Sequence, residues 1–243
     1  MRILLAIEYN GKDFAGWQVQ PGKRTVQGVL QDALSSVCGH QVELNASGRT
    51  DAGVHAYRQM AHFDTTSTLP HDKYPQIVNR LLDEDVCILS SSQVESDFHA
   101  RFNVKKKSYL YRCYFSKVDK PLMRDFAYRL DYEVDMDRMK RAAAKLVGEH
   151  DFTSFKKASD KKLDCVRTIF NIDISKKDDI LEFVICGSGF MHNMVRIIVG
   201  TLIDIGRGYL DESEIDKMLE MKNRIYAGTT LPACGLYLYN VEY

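Results

Sequence analysis

At 243 residues, 45% hydrophobic and 27% charged, the chain has the make-up of a globular protein with room for one large or two moderate domains. No apolar run approaches bilayer length, and the apolar start Ile3-Leu4-Leu5-Ala6-Ile7 is closed by Glu8, too short for a secretory core, so a cytoplasmic location is the expectation and a membrane is not. Thirty-three basic residues balance 33 acidic ones, so overall charge gives no lean toward a polyanionic partner.

Arg2 to Tyr9 reads as a strand closed by Asn10-Gly11, and a loop carrying Gly16-Trp17-Gln18 leads to the turn Pro21-Gly22. Thr25 is the expected N-cap of a helix. Val26, Val29, Leu30, Ala33, Leu34 and Val37 recur on one face, and Gly39 is its expected stop. Glu43 to Ala46 is extended, a glycine-containing loop follows, and a second strand runs through Gln59 to Phe63. A short helix fits Tyr74 to Leu82, and Val86 to Val94 returns as a strand. This β-α-β-β-α-β order is that of a split βαβ, or ferredoxin-like, unit.

The second half opens with a strand from Lys107 to Phe115, with Tyr109, Tyr111, Cys113 and Phe115 on one face. A helix from Asp137 to Val147 ends before Gly148. Arg167 to Ser175 and Ile180 to Cys186 form a hairpin around Lys177-Asp178-Asp179. An apolar helix covers His192 to Ile205, a charged one Glu212 to Met221, and a strand from Leu236 to Val241 ends the chain. The expected class is α+β: two related lobes, 1–104 and 105–243, sharing one extended, mixed and largely antiparallel sheet. No Pro- or Ser-rich linker separates them.

The segment Ser47-Gly48-Arg49-Thr50-Asp51-Ala52-Gly53-Val54-His55-Ala56 is the most informative. Two glycines bracket an Arg-Thr-Asp core on a loop between strands, where catalytic and binding groups tend to sit. A surface ion pair between Arg49 and Asp51 is the plain alternative. Arg196 stands inside an apolar helix, where a guanidinium needs a carboxylate or phosphate partner, and spacing does not choose one. From Arg101 to Arg124 eight basic residues, Lys105, Lys106 and Lys107 among them, face one acid, Asp119, a local charge of +7. Such a run serves either as a solvated strand edge or as a phosphate-binding face. His55 and His62 lie on opposite faces of a strand and belong to no metal-ligand motif. Cys38, Cys87, Cys113, Cys165, Cys186 and Cys234 are scattered without a C-x-x-C pair, as free thiols in a reducing compartment would be. Motifs for a nucleophile elbow, a P-loop and a dinucleotide fold are absent from the sequence.

Gly48 to Ala56 resembles the signature loop of the TruA family of tRNA pseudouridine synthases. Seven further segments resemble that family in the same order: Gly16 to Gln20, Thr25-Val26-Gln27, Phe98 to Phe102, Lys107 to Tyr111, Asp151 to Phe155, Gly187 to Phe190 with Met194-Val195-Arg196, and Gly235 to Leu238. The resemblance implies two ferredoxin-like lobes with a central cleft, a nucleophile at Asp51, and an arginine at Arg196 pairing with that carboxylate. It implies a base-stacking tyrosine at Tyr109, and at Arg49 an arginine that helps displace the target nucleotide. It also implies a homodimer acting without cofactor or metal on the anticodon stem-loop of tRNA, at tRNA positions 38 to 40. Asn10, Asp83, Asn103-Val104 and Ser108 depart from the family pattern without touching Asp51, Tyr109 or Arg196. A tRNA-binding protein or chaperone without catalysis is the rival reading, and it leaves the paired Asp51 and Arg196 without a purpose.

Overall fold

The computed structural model describes residues 1–160 and 163–243. In chain order its strands are β1 (Arg2–Tyr9), β2 (Asn45–Ala46), β3 (His55–Asp64), β4 (Val86–Val94), β5 (Lys106–Phe115), β6 (Tyr128–Leu130), β7 (Gly148–Asp151), β8 (Val166–Lys177), β9 (Ile180–Gly187) and β10 (Leu236–Glu242). Its helices are α1 (Val26–Cys38), α2 (Tyr74–Val78), α3 (Met136–Ala144), α4 (Met194–Gly206) and α5 (Glu214–Met221), with 3-10 turns at Thr153–Phe155, Arg224–Tyr226 and Ala233–Gly235. The class is α+β. No helix among the described residues is long and apolar enough to cross a membrane.

The chain divides into two compact units. Met1–Lys105 with Tyr237–Tyr243 forms the first and Lys106–Leu236 the second. The sequence places 105–243 in one lobe, but Tyr237–Tyr243 clusters with the first unit because β10 pairs in parallel with β3, Tyr237 opposite His55 and Leu238 opposite Ala56.

In the first unit the elements follow the expected β-α-β-β-α-β order. β1 is the central strand, antiparallel to β3 on one side and to β4 on the other. β1 buries Ile3, Leu5, Ile7 and Tyr9, while α1 buries Val26, Leu30, Ala33 and Leu34, the stripe its periodicity marks. Thr25 caps α1 by accepting the Gly28 N–H, and Gly39 ends it in the left-handed conformation at φ 73°. α2 stops four residues short of the expected Leu82. Asn79 is drawn to β4, its side chain donating to the Ile88 carbonyl and accepting the Ile88 N–H at 2.9 and 2.8 Å. Two of the departures from the family pattern have local roles here. Asp83 joins Asp85 in pairing with Arg24, and Asn103 accepts the His99 N–H at 2.6 Å.

In the second unit β5, β9, β8 and β7 form a continuous antiparallel run, with β6 parallel to the end of β5. β5 is buried on both faces, since Leu110 and Tyr114 are covered as well as Tyr111 and Cys113, a pattern one-sided alternation does not anticipate. β6 and β7, both short, escape the sequence reading. α3 ends at Ala144, and the next three residues tighten into i→i+3 bonds before Gly148 starts β7. α4 is nearly all buried, as its apolar composition requires, and packs against α3 and β5.

Candidate active site

The loop from Ser47 to Val54 is held by the first unit's core on several sides. Ser47 is fully buried; its hydroxyl donates to Gln59 Oε1 at 2.6 Å, and Gln59 Nε2 donates to the Gly48 carbonyl at 3.0 Å. One turn later the Thr50 hydroxyl meets the Tyr9 phenol at 2.8 Å, and the Thr50 carbonyl accepts the Trp17 N–H at 3.0 Å. Burial pushes the Tyr9 phenol above its ordinary pKa, so this contact is between neutral hydroxyls. The Asp51 carbonyl then accepts the Val54 N–H at 3.2 Å, closing a turn in which Gly53 takes φ 78°.

Gly16 explains why a glycine stands in the facing loop. Its φ is +96°, and a Cβ there would lie 2.8 Å from the Thr50 carbonyl oxygen and 3.2 Å from the Asp51 carbonyl carbon. Any larger residue would therefore push directly on the backbone that carries Asp51. At the loop's far end His55 is buried, accepts the Gly11 N–H on Nδ1 at 3.0 Å, and stacks on Tyr237 with ring centroids 4.7 Å apart.

Against this fixed frame, Arg49 is exposed and Asp51 half-buried. The Arg49 side chain makes no hydrogen bond or ion pair among the described residues, so the simple surface pair with Asp51 is not formed. Tyr9, Trp17 and Gln59 are the supports that local sequence motifs do not reveal. Tyr9 lies 41 residues from Thr50, and only the register of β1 beside β3 makes them neighbours.

The second unit carries Tyr109 and Arg196. Tyr109, half-buried on β5, meets the Phe190 ring edge-on, centroids 5.1 Å apart at 81°. Phe190 is itself placed by Gly187, where a Cβ would sit 3.1 Å from its ring. Arg196, in the first turn of α4, donates from Nε to the Leu231 carbonyl at 2.6 Å and from Nη1 to Asn193 Oδ1 at 2.9 Å. The next carbonyl, of Pro232, accepts the Tyr111 phenol at 2.8 Å, so strand β5 and helix α4 grip the same segment. Arg196 is half-buried, and these bonds meet part of the demand that its apolar helix creates.

The basic run is less uniform than its sequence. Arg112 pairs with Glu182 at 2.7 Å, Lys120 reaches Asp179, and Lys117 donates to the Asp131 carbonyl. Acids remote in sequence thus offset part of the +7. Lys105 and Lys106 are exposed and Lys107 half-buried; Lys106 lies 5.5 Å from the centre of the Phe170 ring. His62, like His55, accepts a backbone N–H on Nδ1, here from Ala100 at 3.1 Å. Burial, with His99 and Arg2 nearby, lowers its pKa to about 4.

Comparison with known proteins identifies the family. A family profile described as tRNA pseudouridine synthase matches residues 5–103 and 142–243. The chain is 47% identical over 243 residues to tRNA pseudouridine synthase A of Anoxybacillus flavithermus, covering 100% of this chain and 98% of that one. It is 44% identical to tRNA pseudouridine synthase A of Bacillus subtilis, covering 100% and 99%. Against tRNA pseudouridine synthase A of Caldicellulosiruptor bescii it is 41% identical, covering 99% of each.

Proposed function

The chain belongs to the tRNA pseudouridine synthase A family, and from that premise we propose that it acts on the anticodon stem-loop of tRNA, at tRNA positions 38 to 40, with Asp51 as nucleophile. It is an isomerase that turns uridine into pseudouridine in tRNA. The N1–C1′ glycosidic bond of uridine breaks, the uracil turns, and a C5–C1′ bond forms while a proton leaves C5 and one is taken up at N1. Nothing is oxidised or reduced. The observation that supports Asp51 as nucleophile is the held loop: before Asp51, Gln59 and Trp17 donate to the Gly48 and Thr50 carbonyls and Tyr9 meets the Thr50 hydroxyl; after it, the Val54 N–H donates to the Asp51 carbonyl, and Arg49 is exposed.

In this reading the target uridine leaves its stack at a cost of a few kcal/mol. Arg49 fills the space it vacates, and Tyr109, steadied by Phe190, supports the extruded base on its ring. Asp51 forms the covalent bond to substrate and must be ionised to do so. Arg196 is the cation that the family resemblance pairs with it. Lys105, Lys106 and Lys107 would meet tRNA phosphates. Their contribution would fall with salt. The proposal also includes a homodimer working in the cytoplasm, where its substrate is.

Carbodiimide primer-extension mapping of tRNA transcripts, treated with wild type or with Asp51→Asn, tests the reading. Stops in the anticodon stem-loop with wild type alone, and tRNA binding by the variant within a few-fold of wild type, are the expected result. Stops with both proteins would remove Asp51 as nucleophile. Stops elsewhere in the tRNA would overturn the site of action.

A further inference from the structure

Phe102 is the most exposed aromatic among the described residues, and the catalytic scheme leaves it without a task. It is 74% accessible, yet the segment bearing it is held by several hydrogen bonds. The His99 carbonyl accepts the N–H groups of both Phe102 and Asn103, at 3.1 and 3.0 Å. Asn103 Oδ1 accepts the His99 N–H, and His99 Nδ1 accepts the Arg101 N–H at 3.1 Å. The Ala100 N–H is tied to the buried His62, and its carbonyl accepts the Tyr243 phenol at 2.9 Å. This segment between β4 and β5, fixed by so many bonds, presents an apolar ring to water.

The ring is also backed. His99 lies against it with centroids 4.3 Å apart and planes 35° from parallel, and His99 in turn meets His62 edge-on at 4.7 Å. The Arg101 guanidinium lies 5.7 Å from the Phe102 centroid. The sequence neighbours Arg101, Asn103 and Lys105 are all polar and exposed, so along the chain the ring is bordered by polar and cationic groups. A single aromatic face, stiffened from behind and bordered by cations, is what an unpaired nucleobase recognises.

We propose that Phe102, backed by His99 and flanked by Arg101, is a stacking platform for an unpaired base of the tRNA, a role distinct from those given to Asp51 and Tyr109. The proposal rests on tRNA being the substrate. Its role is in binding and positioning, so losing the ring raises KM and leaves kcat at saturating tRNA nearly unchanged.

The chain's single tryptophan, Trp17, is 2% exposed, which makes a direct readout possible. In Phe102→Trp, binding of an unmodified tRNA transcript is expected to quench the added exposed fluorescence, with affinity kept near that of wild type. Phe102→Leu keeps apolar volume but has no π face. It is expected to weaken transcript binding by about tenfold, as does Phe102→Ala, with unchanged thermal stability. Absence of quenching in Phe102→Trp, or wild-type affinity in Phe102→Leu, overturns the platform while wild-type binding and pseudouridine formation still stand. A change of sedimentation-derived oligomeric state in Phe102→Ala would also overturn it, and would make the ring a contact between copies of the chain. If the wild type neither binds the transcript nor forms pseudouridine in it, the underlying reading fails instead.

Discussion

Replacing Thr50 by Val removes a hydroxyl while keeping the shape of the side chain, and it leaves the Tyr9 phenol without its 2.8 Å partner beneath the Asp51 loop. Tyr9 is 2% exposed, so water cannot take the place of that bond. A buried hydroxyl stripped of its partner costs about 1–3 kcal/mol. Tyr9→Phe is the complementary cut, and it costs about 1 kcal/mol because Thr50, 7% exposed, recovers little hydration. In Tyr9→Phe/Thr50→Val neither polar group is left stranded, so the double variant should be more stable than the sum of the single losses by about 1 kcal/mol. Urea unfolding of the four proteins supplies the cycle. The same substitutions loosen the backbone next to Asp51. A carboxylate displaced by about 1 Å costs up to 100-fold in rate, so single-turnover pseudouridine formation should slow by at least tenfold in Thr50→Val, with tRNA affinity retained. Additive stability losses within about 0.3 kcal/mol, or an undiminished rate in Thr50→Val, would refute the claim that this bond positions Asp51.

Two other expectations concern the same unit. Gly16→Ala combines a strained φ of +96° with a Cβ 2.8 Å from the Thr50 carbonyl oxygen, whereas Gly22→Ala, at φ +70°, meets nothing within 4 Å. Calorimetry should therefore show a larger fall in Tm for Gly16→Ala than the strain of about 1–3 kcal/mol common to both, and only Gly16→Ala should lose activity; equal effects would mean that close approach to the Asp51 loop is unimportant. For His62 the folded pKa of about 4 lies below its unfolded value near 6.5. Between those values the unfolded chain binds the extra proton, so its contribution to stability is full above about pH 6.5 and is lost as pH falls toward 4. His62→Gln keeps an acceptor for the Ala100 N–H and should flatten this part of the stability–pH profile; a profile parallel to wild type would refute it.

What the sequence reveals and what it conceals divide along a physical line. The stripe Val26-Leu30-Ala33-Leu34, the cap at Thr25 and the hairpin turn at Asp178 are local, because a periodicity, a side chain reaching three residues on, or a positive φ at a two-residue turn suffices to write them. The Asp51 loop is legible because its glycines and its Arg-Thr-Asp core are contiguous. The bonds that hold it are not. Thr50 to Tyr9 spans 41 residues and Arg196 to Leu231 spans 35, and no pattern within a window joins such partners before the strands are paired. The basic run misleads for the same reason: its charge is counted along the chain, but Glu182 and Asp179 return to it from β9 and the turn before it. Arg196 illustrates both halves. The sequence poses its problem correctly, a guanidinium in an apolar helix. Part of the answer is a main-chain carbonyl at Leu231, an acceptor that every residue type supplies and that composition therefore can never announce.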